Sequence, residues 1–204
     1  MIVNRTMLIT SHSSTIIEDV HGHCQLDPSF AMAYFYFDFN DTEKQQSANL
    51  IRSLITQLSF QSSSCPHTLA VLYSQSLDGQ RQPTMESLMT SLKFILEGFQ
   101  HAYVILDALD ECGDREQLLA LVEEITEWKL AILHILVMNC KERDIEDCLI
   151  PQVSARINLH IALVNADIQT HVHERLRNDS KLKKWSKKVH VQIEAALMEG
   201  AQGM

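Results

Sequence analysis

The chain has 204 residues, 46 % of them hydrophobic, which is enough for a domain-sized core and excludes a disordered chain. A net charge of −9 disfavours general nucleic-acid binding, which needs a basic face, and no apolar run approaches the ~20 residues of a membrane span. Five scattered cysteines without a Cys-x-x-Cys pair, and a start too short and polar for a signal peptide, lead us to expect a reduced, cytoplasmic setting.

The aromatic run Ala33-Tyr-Phe-Tyr-Phe-Asp-Phe39 reads as a strand covered on both faces, broken at Asn40 and Asp41. A capping box, Thr42-x-x-Gln45, predicts the start of a helix that buries Leu50, Ile51, Leu54, Ile55 and Leu58. A polar loop over residues 59–66 and a short helix near 68–77 follow, and Asp78-Gly79 turns the chain. Pro83 opens a helix with Leu88, Leu92, Ile95, Leu96 and Phe99 on one face. Residues 103–106 form the next buried strand. Asp114-x-x-Gln117 signals a second cap, before a helix that buries Leu118, Leu121, Val122 and Ile125. Strands are expected at 133–137 and 157–163, and helices near 167–177 and 186–198. This alternation predicts an α/β fold, a parallel sheet flanked by crossover helices, with ligand chemistry at the carboxyl ends of the strands.

The segment Ile105-Leu-Asp-Ala-Leu-Asp-Glu-Cys112 carries the strongest chemical signal, because an apolar strand ends abruptly in Asp107, Asp110 and Glu111. Carboxylates in that place are how many nucleotide hydrolases hold Mg²⁺ and polarise a water. The usual companion, Gly-x-x-x-x-Gly-Lys-[Ser/Thr], is missing, and the chain has only six glycines. The competing interpretation is a turn and helix-cap device without a ligand. The paired histidines His21/His23 and His171/His173 offer too few ligands for zinc.

Four segments taken together, Ala33–Asp41, Leu50–Leu58, Ile105–Cys112 and Leu133–Val137, resemble the NACHT nucleotide-binding domain of fungal signalling ATPases, the nephrocystin-3-like N-terminal domain. The resemblance runs from about Ser14 to Met204. It implies a partial P-loop NTPase-type sheet whose phosphate-loop strand is missing or replaced. It also implies that Asp107 is the Mg²⁺-linked aspartate, that Asp110 or Glu111 orients the attacking water, and that the nucleotide is ATP or GTP. Residues 1–12 then read as an atypical segment in place of the phosphate loop, and residues 13–204 as an incomplete NACHT domain truncated at both ends.

Two departures bear on activity. The glycines and lysine of the phosphate loop are absent, and the chain has Met138-Asn139-Cys140 where the family places a polar residue and then a γ-phosphate-sensing arginine. Asn139 retains a hydrogen-bonding group at the nucleotide, without the charge. Each charge-assisted bond to phosphate contributes roughly 1.5–3 kcal/mol, so the losses exceed about 5 kcal/mol and turn a micromolar site into a millimolar one. The expectation is a signalling NTPase module with weak or no independent hydrolysis. The alternative is a scaffold for self-association or for binding other signalling proteins. In the family's sheet the phosphate-loop strand lies between the 133–137 and 157–163 strands, so its loss would leave a gap that Met7–Thr10 could fill in part. The C-terminal region from about Ser186 is expected to fray, with the Lys-rich segment, Lys181 to Lys188, mobile rather than docked.

Overall fold

The structure, a computed structural model, describes residues 6–9, 13–62, 65–76, 78–140, 142–156, 161–179 and 181–201. It divides into two compact units, residues 1–157 and 158–204.

The first unit is built on a five-stranded parallel sheet in the order β2-β3-β4-β1-β5. The strands are β1 (Thr6–Ile9), β2 (Phe30–Tyr36), β3 (His101–Asp107), β4 (Leu133–Met138) and β5 (Ala155–Arg156). The helices are α1 (Ser13–Cys24), α2 (Ser47–Ser59), α3 (Cys65–Gln75), α4 (Met85–Leu96), α5 (Arg115–Glu127) and α6 (Arg143–Leu149). The α/β parallel architecture is therefore as the alternating pattern predicts. β1 lies between β4 and β5, so the central gap is filled, by residues one position earlier than Met7–Thr10.

The core follows the helical periodicities. Leu50, Ile51, Leu54, Ile55 and Leu58 of α2, Leu88, Leu92, Ile95 and Leu96 of α4, and Leu118, Leu121, Val122 and Ile125 of α5 are all buried. They pack with Ala31, Ala33, Val104, Leu106, Ile135 and Val137 of the strands. Each large side chain fully removed from water contributes roughly 1.5–3 kcal/mol, which makes this layer the main source of stability. The small Ala31 and Ala33 let α2 approach the sheet closely.

Three local expectations are corrected. Thr42 does not open a long helix: Thr42–Gln45 is a separate 3₁₀ turn capped by Asp41, whose carboxylate accepts from Glu43 N at 3.0 Å. Gln45 does not reach back as a capping-box residue, because its amide donates to the Phe39 carbonyl at 2.7 Å. The strand expected over 157–163 is instead the two-residue β5, and from Ile161 the chain is helical; residues 157–160 lie outside the described residues. A short apolar run is compatible with either a buried strand or a helix start, and periodicity does not separate them.

The second unit holds α7 (Ile161–Asn178) and α8 (Lys187–Ala201), joined through a 3₁₀ turn at Leu182–Lys184. Gln169 Nε2 donates to Glu194 at 2.9 Å, and His173 lies 3.4 Å from the same carboxylate. The Lys-rich turn is tied in place: Asp179 accepts from Lys181 N at 2.8 Å, and the His190 ring bonds the Leu182 carbonyl at 2.9 Å.

Candidate functional site at the carboxyl edge of the sheet

Register brings four strand ends to one level. Tyr36 pairs with Asp107, Asp107 with Met138, and Met138 with Ile9. The segments that leave the sheet after β2, β3, β4 and β1 therefore emerge side by side, where parallel α/β sheets place their ligands. The three candidate carboxylates and Asn139 all stand on this edge.

After Asp107 the chain turns through Ala108, which adopts the left-handed conformation (φ 54°, ψ 47°). That conformation costs a non-glycine residue on the order of 1 kcal/mol. It is held by Asp107, whose Oδ1 accepts from Ala108 N at 2.9 Å, and by Leu109, which is fully buried. A 3₁₀ turn, Leu109–Glu111, then projects two carboxylates sideways. Asp110 accepts from Cys140 N, just beyond β4, at 3.1 Å. Glu111 accepts from Phe39 N, just beyond β2, at 2.9 Å. The acidic turn thus clamps the ends of both neighbouring strands, and each carboxylate uses one oxygen to do so.

Among the described residues, Arg115 is a cation bonded into this arrangement, and its guanidinium is already committed. Its guanidinium donates to the Asp110 carbonyl at 2.6 Å and pairs with Asp144 at 3.2 Å and Glu142 at 3.7 Å. Asn139 is buried, and its Nδ2 donates to the Cys140 carbonyl while Oδ1 has no partner. Burial, then the charge of Asp110 and its bond with the thiol, push the Cys140 thiol upward.

Sequence reading missed a second network beside this edge. Asp114 stands at the N-cap of α5 without capping it; its carboxylate crosses to α2 and accepts from Ser47 N at 3.0 Å and Ser47 Oγ at 2.7 Å. It thereby caps α2, whose own N-cap residue, Gln46, makes no capping side-chain bond. Cys112 Sγ bonds the same carboxylate at 3.1 Å, and burial followed by that bond pushes its thiol up to about 12. The Asp-x-x-Gln pattern gave the position but not the direction of this bond.

The donor set is a poor match to both groups the carboxylates suggest. Mg²⁺ favours hard oxygens, which Asp107 supplies, yet among the described residues no group of three or more His, Cys, Asp or Glu could hold a metal ion. A triphosphate needs N–H donors and cations, whereas Asp107, Asp110 and Glu111 are carboxylates and the Asn139 carbonyl has no partner among the described residues. Only Thr10, Ser11 and His12 separate β1 from α1; they lie outside the described residues and include neither glycine nor lysine. No helix among the described residues is long and apolar enough to cross a membrane.

Among solved structures, the chain is similar to cbiO1 from Clostridium perfringens, part of the ABC transporter complex cbiONQ. The identity is 14 % over 90 % of this chain and 88 % of that one, with a TM-score of 0.37. PCH-2 of C. elegans is 11 % identical over 96 % of this chain and 61 % of its own, with a TM-score of 0.30. At these values neither neighbour bears on function. No curated protein matches the chain. The model of the family described as "Nephrocystin 3, N-terminal" matches residues 10–139, a span that begins directly after β1 and ends at Asn139, and that takes in more than half of the sequence: the chain belongs to the nephrocystin 3 N-terminal family.

Proposed function

We propose that the chain is a degenerate NACHT-type signalling NTPase module of the kind found in fungal non-self recognition, retaining the nucleotide-switch scaffold with little or no independent hydrolysis. The observation that carries this reading is a conjunction at one edge of the sheet. Asp107 ends β3 and Asp110 and Glu111 follow it, while β1 is followed by α1 without glycine or lysine between them. In this reading Asp107 is the remnant of a metal-linked aspartate, Asp110 and Glu111 are the remnants of the water-orienting pair, and Asn139 occupies the sensing position. Mg²⁺ with ATP or GTP would enter only as a weak complex, since no lysine or arginine stands between β1 and α1 to bind phosphate.

The test is phosphate release by the full chain with Mg²⁺-ATP and Mg²⁺-GTP. The expected result is no turnover above the buffer rate. Turnover that Asp110→Asn or Glu111→Gln abolishes would overturn the proposal.

A second reading, a self-association or partner-binding scaffold that takes no nucleotide, is favoured by one observation. Asp110 and Glu111 are each bonded to a neighbouring backbone amide, a structural use for both. Asp107→Ala separates the two: an effect on self-association that appears only with ATP excludes the nucleotide-free scaffold.

A further inference from the structure

β2 is an edge strand, and an edge presents peptide groups on which another chain can add a strand. Here the outward peptide groups of Met32 and Tyr34 already have partners. Gln57 Oε1 accepts from Tyr34 N at 3.1 Å, and its Nε2 donates to the Tyr34 carbonyl at 2.7 Å. Gln61 repeats the arrangement on Met32, at 3.1 and 2.7 Å. A carboxamide carries the same donor and acceptor as a peptide group, so each glutamine stands in for one residue of a missing neighbouring strand.

The two glutamines cover successive outward peptide groups of β2. Gln57 lies in α2 and Gln61 two residues past its end, in a turn where Gln61 N donates to the Leu58 carbonyl at 3.1 Å, and the strand residues they bind are two apart, an advance of about 6.6 Å. α2 returns antiparallel to β2, so the later glutamine meets the earlier strand residue. Both side chains are also fixed from their own side: Gln57 Nε2 donates to Ser53 Oγ at 3.0 Å, and Gln61 Nε2 to the Gln57 carbonyl at 2.9 Å. Beside them Tyr34 and Tyr36 stack with centroids 6.3 Å apart and remain partly exposed. An open edge with that aromatic pair has the β-propensity and cross-strand contact area that favour strand pairing.

We infer that Gln57 and Gln61 act as a surrogate strand that closes the β2 edge against pairing with a second copy of this chain. This inference is independent of nucleotide binding. It is tested on the full chain by residue-resolved amide exchange and sedimentation velocity. In the wild type, the Met32 and Tyr34 amides are protected. Gln57→Ala speeds Tyr34 exchange about fivefold or more and leaves Met32 unchanged, Gln61→Ala does the reverse, and Ala31 and Ala33 stay protected in both. The double variant self-associates in a concentration-dependent manner, and adding Tyr34→Pro, which removes the N–H and is tolerated on an edge, restores the monomer. Fast exchange at Met32 and Tyr34 in the wild type, or a double variant that stays monomeric, would overturn the inference.

Discussion

Removing the Asp114 carboxylate should destabilise the first unit more than any other single change at the carboxyl edge. Ser47 is fully buried, and both its amide and its hydroxyl donate to Asp114. Asp114→Ala leaves these two donors without a partner in a place water does not reach, at about 1–3 kcal/mol each. It also deprives α2 of its only N-terminal side-chain cap, an effect already contained in the same bonds. The expected loss is about 3–5 kcal/mol, a large part of the roughly 5–15 kcal/mol by which domains are stable. Asp114→Asn keeps one acceptor oxygen for one donor and should cost only about 1–2 kcal/mol. The assay is equilibrium urea unfolding followed by tryptophan fluorescence in a Trp185→Phe background, so that Trp128 alone reports on the first unit. A loss below about 1 kcal/mol for Asp114→Ala, or equal losses for the two variants, would refute the reasoning.

The same network predicts a two-sided pH dependence. Burial alone would raise the Asp114 carboxyl, but the bonds from Ser47 and Cys112 outweigh it and hold the group below its ordinary value. Its contribution is therefore complete above the unfolded value of about 4 and is lost as pH falls through the folded one, which acid titration of the Trp128 signal will register and Asp114→Asn will blunt. At the other end, the unfolded Cys112 thiol ionises near pH 8.5–9 while the folded one holds its proton to about 12, so stability declines as pH rises through that window, and Cys112→Ala removes the decline. Iodoacetamide at neutral pH should alkylate the exposed Cys140 well before the buried Cys112, as peptide mass spectrometry will resolve; the opposite order would contradict the packing around Gln45 and Asp114.

How much of this was legible in the sequence depends on the range of the interaction. The buried faces of α2, α4 and α5 follow from spacing within each segment, because a helix repeats every 3.6 residues whatever it packs against. The acidic turn after β3 was equally plain, since Asp107, Asp110 and Glu111 break an apolar run. What was not legible is where each carboxylate is aimed. Glu111 reaches an amide 72 residues away, Asp110 one 30 away, and Asp114 a serine 67 away, and no local pattern encodes such partners. The replacement of the expected 157–163 strand by β5 and α7 has a different origin: Ile161-Ala-Leu-Val164 fits both structures in a short window, and the longer run into Asn178 decides for helix.

The proposed function holds that this edge keeps carboxylates like those of a nucleotide hydrolase, without the glycines and lysine of a phosphate loop. It is tested most directly by titrating the full chain with Mg²⁺-ATP and Mg²⁺-GTP in a calorimeter, beside a variant carrying Asp107→Ala. With a loss of more than about 5 kcal/mol of phosphate contacts, the account predicts dissociation constants in the millimolar range or weaker. Micromolar binding of either nucleotide that Asp107→Ala abolishes would contradict it.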